Sequence, residues 1–327
     1  MNLSLGLTTS CSIERIKWIA DRADNLGFYG IWIGEDIGGP QEVFTASSLL
    51  LLGTRRVKVG IGVTSPLLRN ITTIARAAVT ISEISPSRFK LGLGVGGLQD
   101  LPSTGIHIEK PAELMRRTVN LLRTIWAGQS IPVSDERLKI SDYRPQFSSP
   151  EIIPIFLGVR APRLLTQAAD IADGVILSGP KRYIEEAIKL VRGRRAASGL
   201  SNSRFSFVLW VPTVMLQDGS DLELAKKAVS IVVSDTPDAV LEMAGIPRDE
   251  VEVIKGDIVK YGLEEAAENI SKELVNQFCI SGDAEGICKI FRNYTSLEVD
   301  EVVFGPPYGR DPKDAISQIA ETWGRTR

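Results

Sequence analysis

Val57-Lys58-Val59-Gly60-Ile61-Gly62-Val63-Thr64-Ser65-Pro66 takes a β-branched strand into glycine, then two hydroxyl side chains, then a proline. Val57, Val59, Ile61 and Val63 favour a strand, and the bare backbone at Gly60 and Gly62 admits close approach of another group. Two readings follow. A flat ligand could rest against the glycines, or the run is a buried parallel strand with a tight exit turn.

The same strand-then-helix alternation recurs on both sides of the run. Residues 3–8 read as a first strand, and Ile13, Ile16, Ala20, Ala23 and Leu26 recur at helical spacing up to the stop at Gly27. Residues 30–34 form a second strand ending in Glu35-Asp36, with a helix over 42–52. After the opening run come a helix over 71–84 and a fourth strand over 88–95 that exits through Gly96-Gly97. Pro111 starts a helix with Leu114, Val119, Leu122 and Ile125 on one face and Gly128 after it. Residues 129–150 are a polar excursion. Strands over 154–158, 173–178 and 205–216 follow, with a helix from Pro162 behind the first of them. Helical patterning broken by Pro237, Gly245 and Pro247 makes 219–280 an insertion. A helix from Gly282 then leads to an eighth strand over 301–305, the loop Pro306-Pro307-Tyr308-Gly309-Arg310, and a last helix from Pro312. Regular βα alternation implies parallel strands, and eight units favour closure. The expected fold is α/β, a TIM-like (β/α)8 barrel with a helical insertion after strand 7. It forms one domain over 1–327, because no break in composition marks a second.

Composition narrows the function. The net charge is −2 over 327 residues, with Lys and Arg spread along the chain, which argues against a nucleic-acid surface and for a small-molecule substrate. Cys11, Cys279 and Cys288 are too scattered for a disulfide framework, and His107 is the only histidine, so no metal-site spacing exists. No signal-length or membrane-length apolar run is present. A cytoplasmic protein that binds no membrane is expected.

In such a barrel the chemistry sits at the carboxyl ends of the strands. Those positions hold Gly6 and Thr8, Glu35 and Asp36, Thr64 and Ser65, Gly96 and Gly97, Val159 and Arg160, Ser178 and Gly179, and Pro306 with Tyr308. So many small residues are expected to leave an open, shallow mouth that suits a planar ring. Of the adjacent acids only one can face the site, and Glu35 is the candidate proton-exchanging group; the alternative is a pair with a nearby Lys or Arg. Gly158, Val159, Arg160 and Ala161 lead into a helix opened by Pro162, so free backbone N–H groups and the helix dipole could take a phosphate, with Arg160 adding a charged contact. The alternative is a plain strand-to-helix turn. His107 lies well past the fourth strand in a structural or solvent position, and Cys11 has no base beside it.

The strings Leu-Gly-Phe-Tyr-Gly-Ile-Trp-Ile (26–33), Gly-Ile-Gly-Val-Thr-Ser-Pro (60–66), Arg-Phe-Lys-Leu-Gly-Leu-Gly-Val-Gly (88–96), Ala-Asp-Ile-Ala-Asp-Gly-Val-Ile-Leu (169–177) and Val-Val-Phe-Gly-Pro-Pro-Tyr-Gly (302–309) resemble the bacterial-luciferase-like superfamily. Within it they are similar to the coenzyme F420-dependent branch, with the methylenetetrahydromethanopterin reductases nearest. The resemblance implies an oxidoreductase that binds the deazaflavin F420, or FMN as in other branches, and transfers a hydride at the ring. It implies that Gly62, Val63, Thr64 and Ser65 form the bulge behind the ring, with a cis peptide bond between Gly62 and Val63. Gly96 and Gly97 would lie beside the ring, Gly158 to Ala161 at the phosphate, and Leu177 and Ser178 near the tail. A homodimer or higher homo-oligomer is implied as well. Three positions depart from those reductases: Gly6 and Gly97 stand where they carry acids, and Glu35-Asp36 replaces an Asp-His pair. Cofactor binding therefore carries over better than substrate. An FMN-dependent monooxygenase and a catalytically silent flavin-binding paralogue are the alternatives.

Overall fold

The computed structural model describes residues 1–96, 101–107, 109–132, 134–217 and 221–325. Eight parallel strands close on themselves: β1 (Asn2–Thr8), β2 (Gly30–Gly34), β3 (Lys58–Ile61), β4 (Phe89–Leu93), β5 (Ile155–Gly158), β6 (Gly174–Leu177), β7 (Ser206–Met215) and β9 (Glu301–Tyr308). Each pairs with its neighbour in that order, and closure comes from β6 on β7, β7 on β9 and β9 on β1. This is the barrel that the alternating pattern predicts. Between the strands run α1 (Ile13–Leu26), α2 (Val43–Gly53), α3 (Ile71–Ile84), α4 (Pro111–Trp126), α5 (Pro162–Ile171) and α6 (Lys181–Ala197), with α12 (Ala284–Asn293) and α13 (Pro312–Arg325) closing the ring of helices. Among the described residues no helix is long and apolar enough to cross a membrane.

Local chemistry sets the element ends. The Ser12 side chain accepts the Arg15 N–H at the start of α1, and Gly27 ends the helix at φ +76°, a left-handed conformation that glycine adopts without a Cβ clash. Asp24, in the last turn of α1, accepts the backbone N–H groups of Arg56 and Val57 at 3.0 Å each and so anchors the turn into β3.

After β7 the chain makes α7 (Asp221–Ser234), α8 (Asp238–Ala244), α9 (Arg248–Tyr261), α10 (Leu263–Glu268) and α11 (Lys272–Phe278). These bury a cluster of their own that includes Val229, Val233, Leu241, Ile254 and Phe278. The insertion ends in a short strand, β8 (Ile280–Gly282), paired with the outer end of β7. The sequence reading placed a helix from Gly282; the helix instead starts at Ala284, where the Asp283 side chain accepts the Gly286 N–H. A three-residue strand has too few side chains to show a period.

The barrel lumen corrects a second expectation. Several glycines make room for side chains rather than for open space. A Cβ on Gly60 would lie 2.4 Å from the Trp32 ring, and one on Gly174 would lie 2.3 Å from Phe156. Trp32, Phe156, Ile176, Val208 and Val303 fill the lumen, with Val63 and Trp210 packed on them. Deeper in the lumen, Glu301 accepts hydrogen bonds from Ser4 and from the Trp32 indole, the latter at 2.6 Å, and pairs with Lys90 at 2.8 Å.

Gly60→Ala should destabilise the fold by about 1–3 kcal/mol, because Trp32 is held by Glu301 and cannot yield to the added methyl. Gly256→Ala, in α9 with nothing within 4 Å of its Cβ, should be neutral or slightly stabilising. Urea unfolding midpoints of the two variants check this, and equal midpoints would refute the packing argument.

Candidate active site at the barrel mouth

Strand β3 stops at Ile61, and just beyond it the Gly62–Val63 peptide bond is cis, as the resemblance implied. The resulting bulge stays tied to both neighbours. Gly62 N–H donates to Ile33 at 2.8 Å and Glu35 N–H donates to Val63 at 3.1 Å on one side. Thr64 N–H donates to Gly92 and Gly94 N–H donates to Thr64 on the other. Val63 thereby projects over the lumen between two strand ends that lack side chains: a Cβ on either Gly94 or Gly158 would come within 2.6 Å of a Val63 methyl. Trp32 and Trp210 lie beneath, 3.2 and 3.5 Å from where a Gly62 Cβ would be. The floor of the mouth is apolar.

Its rim is polar. Thr64 and Ser65 are buried, and the Ser65 hydroxyl donates to the Val95 carbonyl at 3.0 Å and accepts the Leu67 N–H. The Thr64 hydroxyl donates to Glu35 Oε2 at 2.5 Å. Glu35 is also gripped by Arg69, whose two terminal nitrogens reach one carboxylate oxygen each, at 2.8 Å for Oε2. Arg69 continues to Glu42 at 2.8 Å, and Glu42 caps α2 through the Thr45 N–H. Of the two readings of Glu35, the charge pair is therefore present, at the mouth. Burial works against the Arg69 charge, but hydrogen bonds and attraction from Glu35, and then from Glu42, outweigh it and raise its pKa. A cleft of about 340 Å³ opens beside this group, between the β2–α2 loop and Leu68-Arg69. Arg69 and Glu42 were missed by the sequence reading; the available signal was a cation closely following Ser65, facing the one acid at a neighbouring strand end.

The remaining candidates divide. Gly96, at φ +97°, packs against Leu101, and Gly97 lies outside the described residues. Ala161 caps α5 without a side-chain hydrogen bond and Pro162 takes the first turn. Arg160 does not point free: its guanidinium donates to the Asp235 carboxylate at 2.7 Å, to the Asp235 carbonyl at 2.6 Å and to Thr236 at 3.3 Å, all on the α7–α8 turn. Ser178 is half-buried at the end of β6, whereas the side chains of Val159 and Leu177 belong to the layer between barrel and helices and are not brought to the mouth. His107 is exposed. Cys11 is buried, and burial raises its thiol pKa against a smaller opposing pull from Arg15. Tyr308, after a cis Pro306–Pro307 bond, donates its hydroxyl to the Gly6 carbonyl.

The family described as luciferase-like monooxygenase matches residues 2–301. The chain is 29% identical over 328 residues to the 5,10-methylenetetrahydromethanopterin reductase of Archaeoglobus fulgidus, covering 98% of each. It is 26% identical over 214 residues to an F420-dependent glucose-6-phosphate dehydrogenase of Kineococcus radiotolerans, covering 60% of this chain and 64% of that protein. In fold it is similar to the coenzyme F420-dependent tetrahydromethanopterin reductase of Methanopyrus kandleri, with a TM-score of 0.88 at 22% identity over 99% of both chains. It is also similar in fold to an F420-dependent secondary alcohol dehydrogenase solved with an F420–acetone adduct, with a TM-score of 0.80 at 15% identity over 100% of this chain and 99% of that one.

The Arg160–Asp235 tie predicts a local effect. Arg160→Ala should speed amide exchange over residues 232–241 by about five- to tenfold, or roughly 1–1.4 kcal/mol, while the barrel strands keep their protection. Exchange that is unchanged in that segment would show that the tie carries no energy.

Proposed function

The chain belongs to the luciferase-like monooxygenase family, and on that premise we propose that it is an oxidoreductase that binds coenzyme F420 at the barrel mouth and acts on a small organic molecule. One observation carries the reading: Val63, seated between Gly94 and Gly158 over Trp32 and Trp210, makes an apolar ledge inside a polar rim, which fits a planar heterocycle. The full-length similarity to methylenetetrahydromethanopterin reductases supports it. When bound, the deazaflavin supplies a hydride donor or acceptor at its ring, and the protein supplies position.

Gly62, Val63, Thr64 and Ser65 would back the ring, with Gly96 and Gly97 beside it. The backbone N–H groups of Val159, Arg160 and Ala161 leading into α5, with Gly158 at the end of β5, would take the phosphate, and Ser178, with the Leu177 backbone, would lie toward the tail. Val63 covers one face of the ring position, which leaves the other for substrate, and the two indoles beneath exclude water. Glu35 is the group we assign to handle the proton or anchor the polar edge of the ligand.

The substrate is proposed to differ from the pterin of the similar reductases. Position 6 has no room for a functional side chain, since a Cβ there would lie 2.9 Å from Trp210 and 3.0 Å from Val303. The proposal extends to one domain over 1–327 acting in the cytoplasm as a homodimer or higher homo-oligomer.

Fluorescence titration of the purified protein should give at least tenfold tighter binding of F420 than of FMN, a difference of about 1.4 kcal/mol. Tighter FMN binding would overturn the cofactor assignment in favour of an FMN-dependent monooxygenase. Glu35→Gln keeps the shape and removes the charge. With the substrate found by screening F420-coupled oxidations and reductions, it should lower turnover by about 10²-fold. Wild-type turnover in that variant would move the proton to water or to the substrate.

A further inference from the structure

Among the described residues Glu35 is the candidate catalytic side chain at the mouth, and its geometry is decided by another residue. Its side chain is only 8% exposed, and Arg69 is 18% exposed. Arg69 reaches both carboxylate oxygens, also donates to the Thr64 hydroxyl at 3.1 Å, and rests its guanidinium 5.4 Å from the Phe44 ring centroid. The Thr64 hydroxyl hydrogen is directed at Oε2. Oε2 thus receives two donors and Oε1 one, so the acceptor capacity left on Glu35 is on Oε1. A planar fork that grips both oxygens fixes the carboxylate plane in a way that a single ammonium cannot.

We propose that Arg69 is a positioning residue of this site, which holds Glu35 as a fixed hydrogen-bond acceptor toward the ligand rather than as a proton donor. This rests on the reading of the mouth as a deazaflavin site and goes one step deeper into it. Arg69 also joins two loops, the one after β2 through Glu35 and Glu42 and its own after β3 through Thr64, so a loss of stability alone would not distinguish positioning from bracing. The distinguishing readout is coupling: if Arg69 acts through Glu35, removing Arg69 does no further harm once Glu35 has lost its carboxylate.

The test is a double-mutant cycle on ligand affinity, with F420 and, in parallel, FMN as probes, using Arg69→Met, Glu35→Gln and both together in the full chain. Arg69→Met should weaken F420 binding at least tenfold, and the double variant should bind within threefold of Glu35→Gln alone. Arg69→Lys keeps a charge but loses the fork, and should weaken binding about threefold. Circular dichroism reports folding; if Arg69→Met does not fold, Arg69→Lys decides. Losses that simply multiply, or an unchanged dissociation constant in the folded Arg69 variant, overturn the proposal. A wild-type protein that binds FMN but not F420 overturns the cofactor assignment alone, and the cycle is then read with FMN. Binding of neither overturns both.

Discussion

The indole N–H of Trp32 donates to Glu301 deep inside the barrel, and the placement of the mouth follows from that bond. Glu301 is almost fully buried, and it is neutralised by Lys90, whose ammonium lies 5.0 Å from the Trp32 ring centroid and 5.3 Å from those of Phe156 and Tyr29. A lone carboxylate there would be costly to bury. With a cation, a hydroxyl and an indole around it, both carboxylate oxygens are hydrogen-bonded. The indole cannot move without breaking that arrangement. Everything above it has to be built to its outline: no side chain at Gly60, a bare Gly62, and then a chain that turns out of the strand direction.

The glycines can be understood from the same constraint. A parallel barrel strand points every second side chain into the lumen, and eight strands leave space for only a few large ones. Here two tryptophans and a phenylalanine take that space, and glycine is what remains for their neighbours: Gly6 and Gly305 against Trp210, Gly60 against Trp32, and Gly174 against Phe156. Higher up, Gly94 and Gly158 do the same for Val63, a side chain that enters from a bulge rather than from a strand. The ledge at the mouth is therefore an extension of core packing. Its rigidity comes from the interior density and not from the loops around it.

The barrel was legible because strand and helix periods alternate cleanly and each unit is bounded by glycine, proline or a capping side chain. Helix α1 and strand β2 match the ranges read from the sequence, and so does α3. Strand β8 was not legible, being three residues long and defined by its partner. The mouth was legible in part. Glycine shows that a side chain is missing, but only the fold shows whether a ligand or an indole uses the space, so the expected open mouth is narrower than the sequence suggested. Arg69 escaped notice because its partners Glu35 and Glu42 are distant in the chain, and no period links a residue in one loop to one in the next. Arg160 stood out as a phosphate ligand from its place after β5, yet Asp235 comes from the inserted helices, whose docking is invisible in local pattern.

The rim is held by a different kind of contact from the lumen. Loops at the mouth are tied by polar contacts that do not involve the lumen. The Asp36 N–H donates to the Thr9 hydroxyl at 2.8 Å, joining the loops after β1 and β2. Arg69 joins those after β2 and β3 through Glu35, and Arg160 joins the β5–α5 turn to the insertion. Each tie is between side chains or backbone of two different loops and uses none of the lumen side chains. The lumen residues obey a different rule, in which one large side chain excludes another. Glycine at position 6 follows from the Trp210 indole, which would lie 2.9 Å from a Cβ there, and none of these rim ties runs through that residue. Core packing and rim electrostatics are therefore separable here, and a substitution in one set of residues leaves the contacts of the other in place.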